Sequence, residues 1–246
     1  MSLFTMAWRN IIRNRRRSMV TISAMSFALF FELFYAGLVA GYTNDMENSI
    51  TDLEVGDIQI HAVGYLETPS LDKVITDSDT LIMGIEGLGL SASSRLKGGG
   101  LAASGENSAG VSLRGLDVHR EKTVSNIHER IREGEWLDPS DSKGVVLGKN
   151  IAKSLGVSAG SELVIVTQAC DGSMGNDLFI VRGILGPIAQ GTDSSAVLMN
   201  QSAFRKLMVF PNGSHQVVVR RGEAELSFAA NQIKEMNSEV DVKTWK

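Results

Sequence analysis

A single cysteine, Cys170, is all the thiol the sequence carries, so an intrachain disulfide framework is excluded and the redox compartment stays open. A basic excess is missing as well: the net charge of -4 argues against nucleic acid as a partner. Metal-ligand spacing is absent. His61, His119, His128 and His215 are scattered, and with Cys170 they form no ligand set. A phosphate loop is absent too, because Gly144–Asn150 (GVVLGKN) has the Gly-Lys pair at too short a spacing and Asn150 where Ser or Thr is needed. Gly87, Gly89 and Ala92 satisfy G-x-G-x-x-A, but a polar stretch and then triglycine follow, not the helix that a pyrophosphate requires. Ser94-x-x-Lys97 and Ser140-x-x-Lys143 lack the S-D-N and K-T-G companions of a penicillin-binding site. Cys170, beside Asp171-Gly172, reads as a semi-buried turn residue and not as a reactive thiol. Nothing here supports an enzyme, and no cofactor is expected.

What remains is an ordinary globular composition, 43% hydrophobic and 21% charged over 246 residues. It excludes disorder and a membrane bundle spanning the whole length. The average hides an asymmetry. Residues 1–17 hold five Arg and no acid, which leaves -9 for the rest of the chain. From Ser18 to Ala40 the sequence is apolar with one charge, Glu32. Twenty-three residues make roughly 35 Å of helix, enough to cross a hydrocarbon core of about 30 Å. Arg13, Arg15, Arg16 and Arg17 stand before the run, and Asp45, Glu47, Asp52 and Glu54 follow it. This asymmetry predicts a cytoplasmic N-terminus and an external region over 42–246. The run is too long for the core of a cleaved signal, and Leu38-Val39-Ala40 lacks the small-x-small cleavage pattern, so a retained helix is expected. Before it, Phe4, Trp8, Ile11 and Ile12 share one helical stripe, which suits an interfacial helix or a simple extension of the span.

Beyond residue 42 strands and helices mix without a βαβ rhythm, which favours α+β over a doubly wound sheet. Strands are expected at 57–62, 111–115, 163–167, 178–183 and 216–220, and helices at about 119–133, 149–155, 200–208 and 223–236. Asn200 and Ser202 are candidate N-caps for the third of these helices. Gly98-Gly99-Gly100 and Asp171-Gly172-Ser173 read as turns. Shifts in the element pattern put boundaries near Asp117 and Asn200.

One resemblance then spans nearly the whole chain. Ala7-Trp8-Arg9-Asn10-Ile11-Ile12-Arg13, running through Arg17 into the apolar helix, resembles the A-x-R-N-I-x-R-x-x-x-R opening of ABC permeases of the MacB/FtsX type. Gly56–His61 (GDIQIH) resembles a segment of the LolC/LolE lipoprotein-releasing branch. So do the Gly105–Gly115 stretch, Val146–Gly160, and Asp171-Gly172-Ser173 ahead of 178–183.

The resemblance implies an N-terminal cytoplasmic segment (1–17), a transmembrane helix (18–41) and a periplasmic MacB-like core domain (42–246). That domain would have an α/β porter subdomain from about 42–116 and 200–246, with a mostly β sabre subdomain inserted at about 117–199. A permease of this family has four spanning helices, three of them after this domain and so beyond Lys246. The implied function is that of an inner-membrane ABC permease subunit working by mechanotransmission, in lipoprotein release toward the outer membrane. FtsX-like signalling to cell-wall hydrolases, MacB-like peptide or drug efflux and a membrane-tethered binding domain are the alternatives. Implied partners are a separate cytoplasmic ABC ATPase, a second permease copy or paralogue, membrane lipid, and lipoprotein cargo or a periplasmic adaptor. Phe31, Glu32, Phe34 and Tyr35 are the candidate cargo or helix-contact residues, and Arg13, Arg15, Arg16 and Arg17 set the topology.

Overall fold

The structure, a computed structural model, describes residues 3–50, 53, 55–188, 190–210, 212–237 and 239–244. It divides into two units, Met1–Asn48 and Ser49–Lys246. The first is helical: α1 (Leu3–Arg13) and α2 (Arg15–Ile50) are separated by a single turn residue, Asn14. The anticipated acids Asp52 and Glu54 lie outside the described residues, as do Trp245 and Lys246.

The second unit is built on one sheet of ten strands. Its first layer takes β1 (Ile58–Ala62) between β9 (Gln216–Arg220) and β10 (Val240–Thr244), both antiparallel to it. Ile58, Ile60, Val217 and Val219 point to one side, where α3 (Ser78–Gly87) and α8 (Leu226–Met236) bury Ile82, Ile85 and Ile233 against them. The expected period-two alternation of β1 holds over Ile58–Ile60, whose isoleucines face this core, while on the opposite face His61 is buried as well.

β9 pairs with β2 (Ser91–Ser104), which forms a long hairpin with β3 (Asn107–Leu116). The hairpin loop is Gly105-Glu106, with Gly105 at φ 57, where a side chain would be strained. β3 runs parallel to β8 (Ala196–Asn200), β8 antiparallel to β5 (Gly144–Leu147), and β5 parallel to β7 (Met174–Leu185). β7 is antiparallel to β6 (Glu162–Gln168), and β6 returns to β2 through Leu101↔Val166. These six strands therefore form a closed ring: β2-β3-β8-β5-β7-β6. Leu113, Val145, Leu147, Leu163, Ile165, Phe179, Val197 and Met199 belong to the core that the ring encloses, together with α5 (Lys149–Leu155) and α7 (Gln201–Met208). The other side of β5 and β8 is covered by the segment from α4 (Val118–Val124) to β4 (Ile131–Gly134), through Val118, Ile127 and Leu137 on Val146, Ala196 and Leu198. Short α6 (Gln190–Ser195) leads into β8. The mixed architecture is α+β, as composition and pattern indicated.

Two local expectations are corrected. Gly98-Gly99-Gly100 is no turn but the middle of β2. A Cβ on Gly98 would stand 3.1 Å from Met208 and 3.2 Å from Phe204, and one on Gly100 would stand 2.8 Å from the Val166 carbonyl. Side chains are absent there because neighbouring elements fill the space. The helix expected at about 119–133 ends at Val124. A 3-10 turn (Ile127–Arg130) follows, and Ile131 then pairs with Leu185, so tertiary strand pairing overrides the helical pattern. Other helices stand as expected: α5 covers 149–155, and Asn200 caps α7 by accepting from the Ser202 N–H at 3.2 Å.

α4 is held to β2 by a buried ion pair. Arg95 meets Glu121 at 2.5 Å, and Ser125 and Ser93 donate to the same carboxylate at 2.7 and 3.3 Å. Burial pushes the Glu121 pKa up, but the Arg95 charge and these donors outweigh it and hold the group ionised, below the usual carboxylate range.

Two stability outcomes follow, each read by denaturant unfolding in detergent. Glu121→Gln should cost roughly 3–5 kcal/mol by removing the carboxylate that faces a buried guanidinium, and the double change Arg95→Met with Glu121→Leu should recover much of that loss. Gly115→Ala should cost about 1–3 kcal/mol, since its Cβ would come within 2.7 Å of Phe204. Gly110→Ala in the same strand, where nothing lies within 4 Å, should stay within about 0.5 kcal/mol of wild type.

Candidate functional site

In the helical unit, Arg15–Thr43 has a mean hydropathy of 1.8 and is long and apolar enough to cross a membrane. Arg13, Arg15, Arg16 and Arg17 are all exposed at its start. Trp8 and Ile12 are exposed on α1, while the Phe4 and Ile11 side chains lie outside what is described. Near the middle of α2 the aromatics form one connected stripe. Phe27 and Phe31 have ring centroids 4.6 Å apart, Phe30 and Phe31 5.7 Å, and Phe30 and Phe34 6.2 Å. At about 100° per residue, Phe30 and Phe34 fall on the side of the helix opposite Glu32, Phe31 lies lateral to it, and Tyr35 lies nearer to it. The four candidate residues therefore do not form one patch. The side centred on Glu32 carries Ser18, Thr21, Ala28, Ala36 and Thr43, together with the larger Met25 and Val39. Small and polar residues of this kind line helix–helix contacts in membranes, whereas the aromatic side suits lipid or an apolar ligand.

In the strand-rich unit the residues singled out in the sequence can be placed. No group of three His, Cys, Asp or Glu able to hold a metal exists among the described residues. The G-x-G-x-x-A match runs from the end of α3 into β2, so the order is helix then strand, the reverse of a dinucleotide site. Cys170 is half-buried where β6 leads into the 171–173 turn, its N–H donating to the Met208 carbonyl at 2.8 Å. Burial, then Asp72 and Asp171, push its thiol pKa up, which disfavours the thiolate. The turn itself is as expected: Asp171 accepts from the Ser173 N–H and hydroxyl, and Gly172 has φ 83.

Sequence reasoning missed three arrangements. The first is an aromatic and imidazole stack: His61 lies parallel to Tyr65 at 5.4 Å, Tyr65 is 5.9 Å from His215, and His215 is 4.7 Å from Phe210. His215 Nδ1 accepts from the Lys97 N–H at 3.0 Å, and its Nε2 lies 3.3 Å from the Leu71 carbonyl. Both ring nitrogens of His61 are buried with no hydrogen-bond partner. The four residues come from distant segments, so no spacing signalled the stack. The second is a cavity of about 160 Å³ lined by Val55, Gln59, Arg95, Lys97, Arg114 and Gln216. Four strands, β1, β2, β3 and β9, supply its cations and amides. Arg95 is committed to Glu121, and Arg114 donates to Thr192 at 3.2 Å. The third is an apolar cavity of about 450 Å³ bounded by β2, β6 and the 171–173 turn. The apolar run 163–167 was its one visible signal, since a strand apolar on both sides has two surfaces to cover.

Burial, aided by the Lys97 charge, lowers both His61 and His215 to about 4. In the unfolded chain an imidazole takes its proton near 6.5, so between pH 6.5 and 4 only the unfolded state gains it. Stability should therefore fall with pH across that window, by about 1.4 kcal/mol per pH unit for each imidazole. Unfolding measured from pH 7.5 to 4.5 should show this slope, and His61→Phe should remove one imidazole's share of it.

With the geometry in place, comparison with known proteins gives one answer. In overall fold the chain is similar to the periplasmic region of MacB from Actinobacillus actinomycetemcomitans, with a TM-score of 0.60 at 12% identity over 81% of this chain and 94% of that one. It is similar also to the extracellular domain of the noncanonic ABC-type transporter YknZ from Gram-positive bacteria, with a TM-score of 0.53 at 15% identity over 76% of this chain and 99% of that one. No match was found among curated proteins. The family model of the MacB-like periplasmic core domain matches residues 18–235, and the chain belongs to that family.

Proposed function

We propose that this chain forms the first membrane span and the periplasmic domain of a permease subunit of an inner-membrane ABC transporter, one that releases lipoproteins toward the outer membrane. The observation that carries the reading is an order of features. An Arg-rich A-x-R-N-I opening leads into an apolar helix, and the helix leads into a domain of the MacB-like family. The arginines before the span support a cytoplasmic N-terminus and a periplasmic location for residues 42–246. The GDIQIH segment and the Asp171–Ser173 turn support the lipoprotein-releasing branch. The common core of β1, β9 and β10 with α3 and α8 supports a porter subdomain drawn from both ends of the external region, about 42–116 and 200–246, with a sabre at about 117–199.

The mechanism is mechanical. ATP binding by a separate cytoplasmic ATPase closes the permease helices, and a second permease copy or paralogue supplies the opposing half. α2 can carry that movement because all its backbone hydrogen bonds are internal and it runs without a break over 36 residues. Glu32 packs against a neighbouring helix, because a carboxylate facing lipid is costly. Phe31, Phe34 and Tyr35 contact lipid-modified cargo.

Affinity purification of the complete gene product from native membranes in mild detergent, followed by mass spectrometry, tests this. An ABC ATPase together with lipoproteins is the expected result. An ATPase with a cell-wall hydrolase would move the function to FtsX-like signalling, and one with a periplasmic adaptor to MacB-like efflux. No ATPase at all would leave a membrane-tethered binding domain and overturn the transporter reading. In the assembled permease, Phe31→Ala with Phe34→Ala should lower cargo release several-fold; unchanged release would remove those side chains from the cargo path.

A further inference from the structure

One side of the open layer carries charge where the other carries the core. Ile58, Ile60, Val217 and Val219 turn toward α3 and α8, so the alternate residues of β1 and β9 turn the other way. Register aligns polar groups from four strands on that side. His61 stands opposite Gln216, and Gln216 stands opposite Arg95. In the next row Lys97 stands opposite Arg114.

Like charges directly opposite each other on paired strands are destabilising. Lys97 and Arg114 meet at the cavity of about 160 Å³, which Val55, Gln59, Arg95 and Gln216 complete. Among the described residues no carboxylate lines it. Arg95 is 5% exposed and Gln216 2%, so solvent screens the cavity weakly. The Lys97 charge also reaches past the cavity. After burial it is the next cause that lowers His61 to about 4, with Asp241 pulling the other way. None of the three cations is idle: Arg95 donates to Glu121, Arg114 donates to Thr192, and Lys97 has contacts of its own. What marks the site is their convergence, since a guanidinium has five N–H donors, an ammonium three, and each can serve several acceptors.

Size, charge and donor type narrow the occupant. The volume lies below the roughly 300–1,000 Å³ that takes a drug-sized molecule, so it suits a small ion or one charged group of a larger ligand. Two guanidiniums, one ammonium and two carboxamides all present N–H groups, which repel a metal ion and attract an oxyanion. A carboxylate asks for less than this: Glu121 is satisfied by one guanidinium and two hydroxyls. A phosphate, with more oxygens and up to two negative charges, matches the further cations, and guanidiniums bind it through paired N–H groups.

We propose that this cavity binds a phosphate group, either free phosphate or the head of an anionic phospholipid. The inference needs neither an ATPase nor a lipoprotein, and so stands apart from the cargo reading above. Val55 lies five residues past the end of α2, and Gln59 donates to its carbonyl at 3.1 Å. An occupied cavity therefore ties the segment that enters β1 to β2, β3 and β9.

Equilibrium binding of radiolabelled inorganic phosphate to the full chain in dodecyl maltoside, at constant ionic strength, tests the proposal. Saturable binding is expected. Lys97→Gln together with Arg114→Gln should weaken it about tenfold or more, while Lys97→Arg should retain it. A denaturant unfolding curve checks that the double variant is folded. Should it not fold, Gln59→Leu, which keeps all three cations, should still weaken binding several-fold. Phosphatidylglycerol or diacylglycerol mixed into the micelles then separates the sources. Competition by phosphatidylglycerol alone assigns the cavity to a lipid head, and competition by neither assigns it to free phosphate. Displacement by diacylglycerol, which has no phosphate, would overturn the site, as would equal displacement by chloride. Absence of saturable binding, or binding indifferent to the substitutions, would overturn it too.

Discussion

The strand-rich unit depends on one strand that belongs to two structures. β2 begins as a neighbour of β9 in the open layer, pairing Ser91–Arg95 with Arg220–Gln216, and ends as a neighbour of β6 in the ring through Leu101–Ala103. β3 accompanies it across the change. The exchange of partners falls at Lys97–Gly100, where glycines on one face of the strand let Phe204 and Met208 of α7 come close at Gly98 and the Val166 carbonyl at Gly100. A strand with side chains there could not have both neighbours at those distances. Glycine weakens a strand in isolation, so the run persists because the packing of both neighbours on it more than offsets that weakness.

Polar groups then fix what apolar packing leaves open. Hydrophobic burial is non-directional and would accept α4 in several rotations. The Arg95–Glu121 pair, with Ser93 and Ser125 completing the carboxylate's shell, accepts one. The His61–Tyr65–His215 stack plays a similar part beside β1, at the cost of two ring nitrogens with no partner. Acid sensitivity is the consequence of keeping imidazoles neutral inside an apolar stack.

How much of this the sequence disclosed depends on how many faces each element buries. β1 and β3 have one face against a core, so their alternation was readable. β5 and β8 are covered on both sides, by the ring's interior and by the α4–β4 segment, and their short apolar runs carry no period. The triglycine was misread because turn chemistry and tight packing call for the same residue. The long apolar helix was legible from length and composition alone, and the family from the order of weak motifs. The apolar run 163–167 was the one local mark of the apolar cavity, because Leu101, Val166 and Met174 become neighbours only when β6 returns to β2.

Closure of the first layer carries a consequence for the making of the protein. Ile58 of β1 pairs with Thr244 of β10, so a strand that emerges early has its partner near the far end of the chain. β9, its other neighbour, is also late. Pairing at such separation is slow, since a long loop must close before any contact repays it. During synthesis β1 must therefore wait, with both edges open, while the intervening residues follow it. The ring strands, all lying between residues 91 and 200, can assemble in that interval. This order of synthesis predicts a ring-first intermediate whose vulnerable element is an unpaired β1.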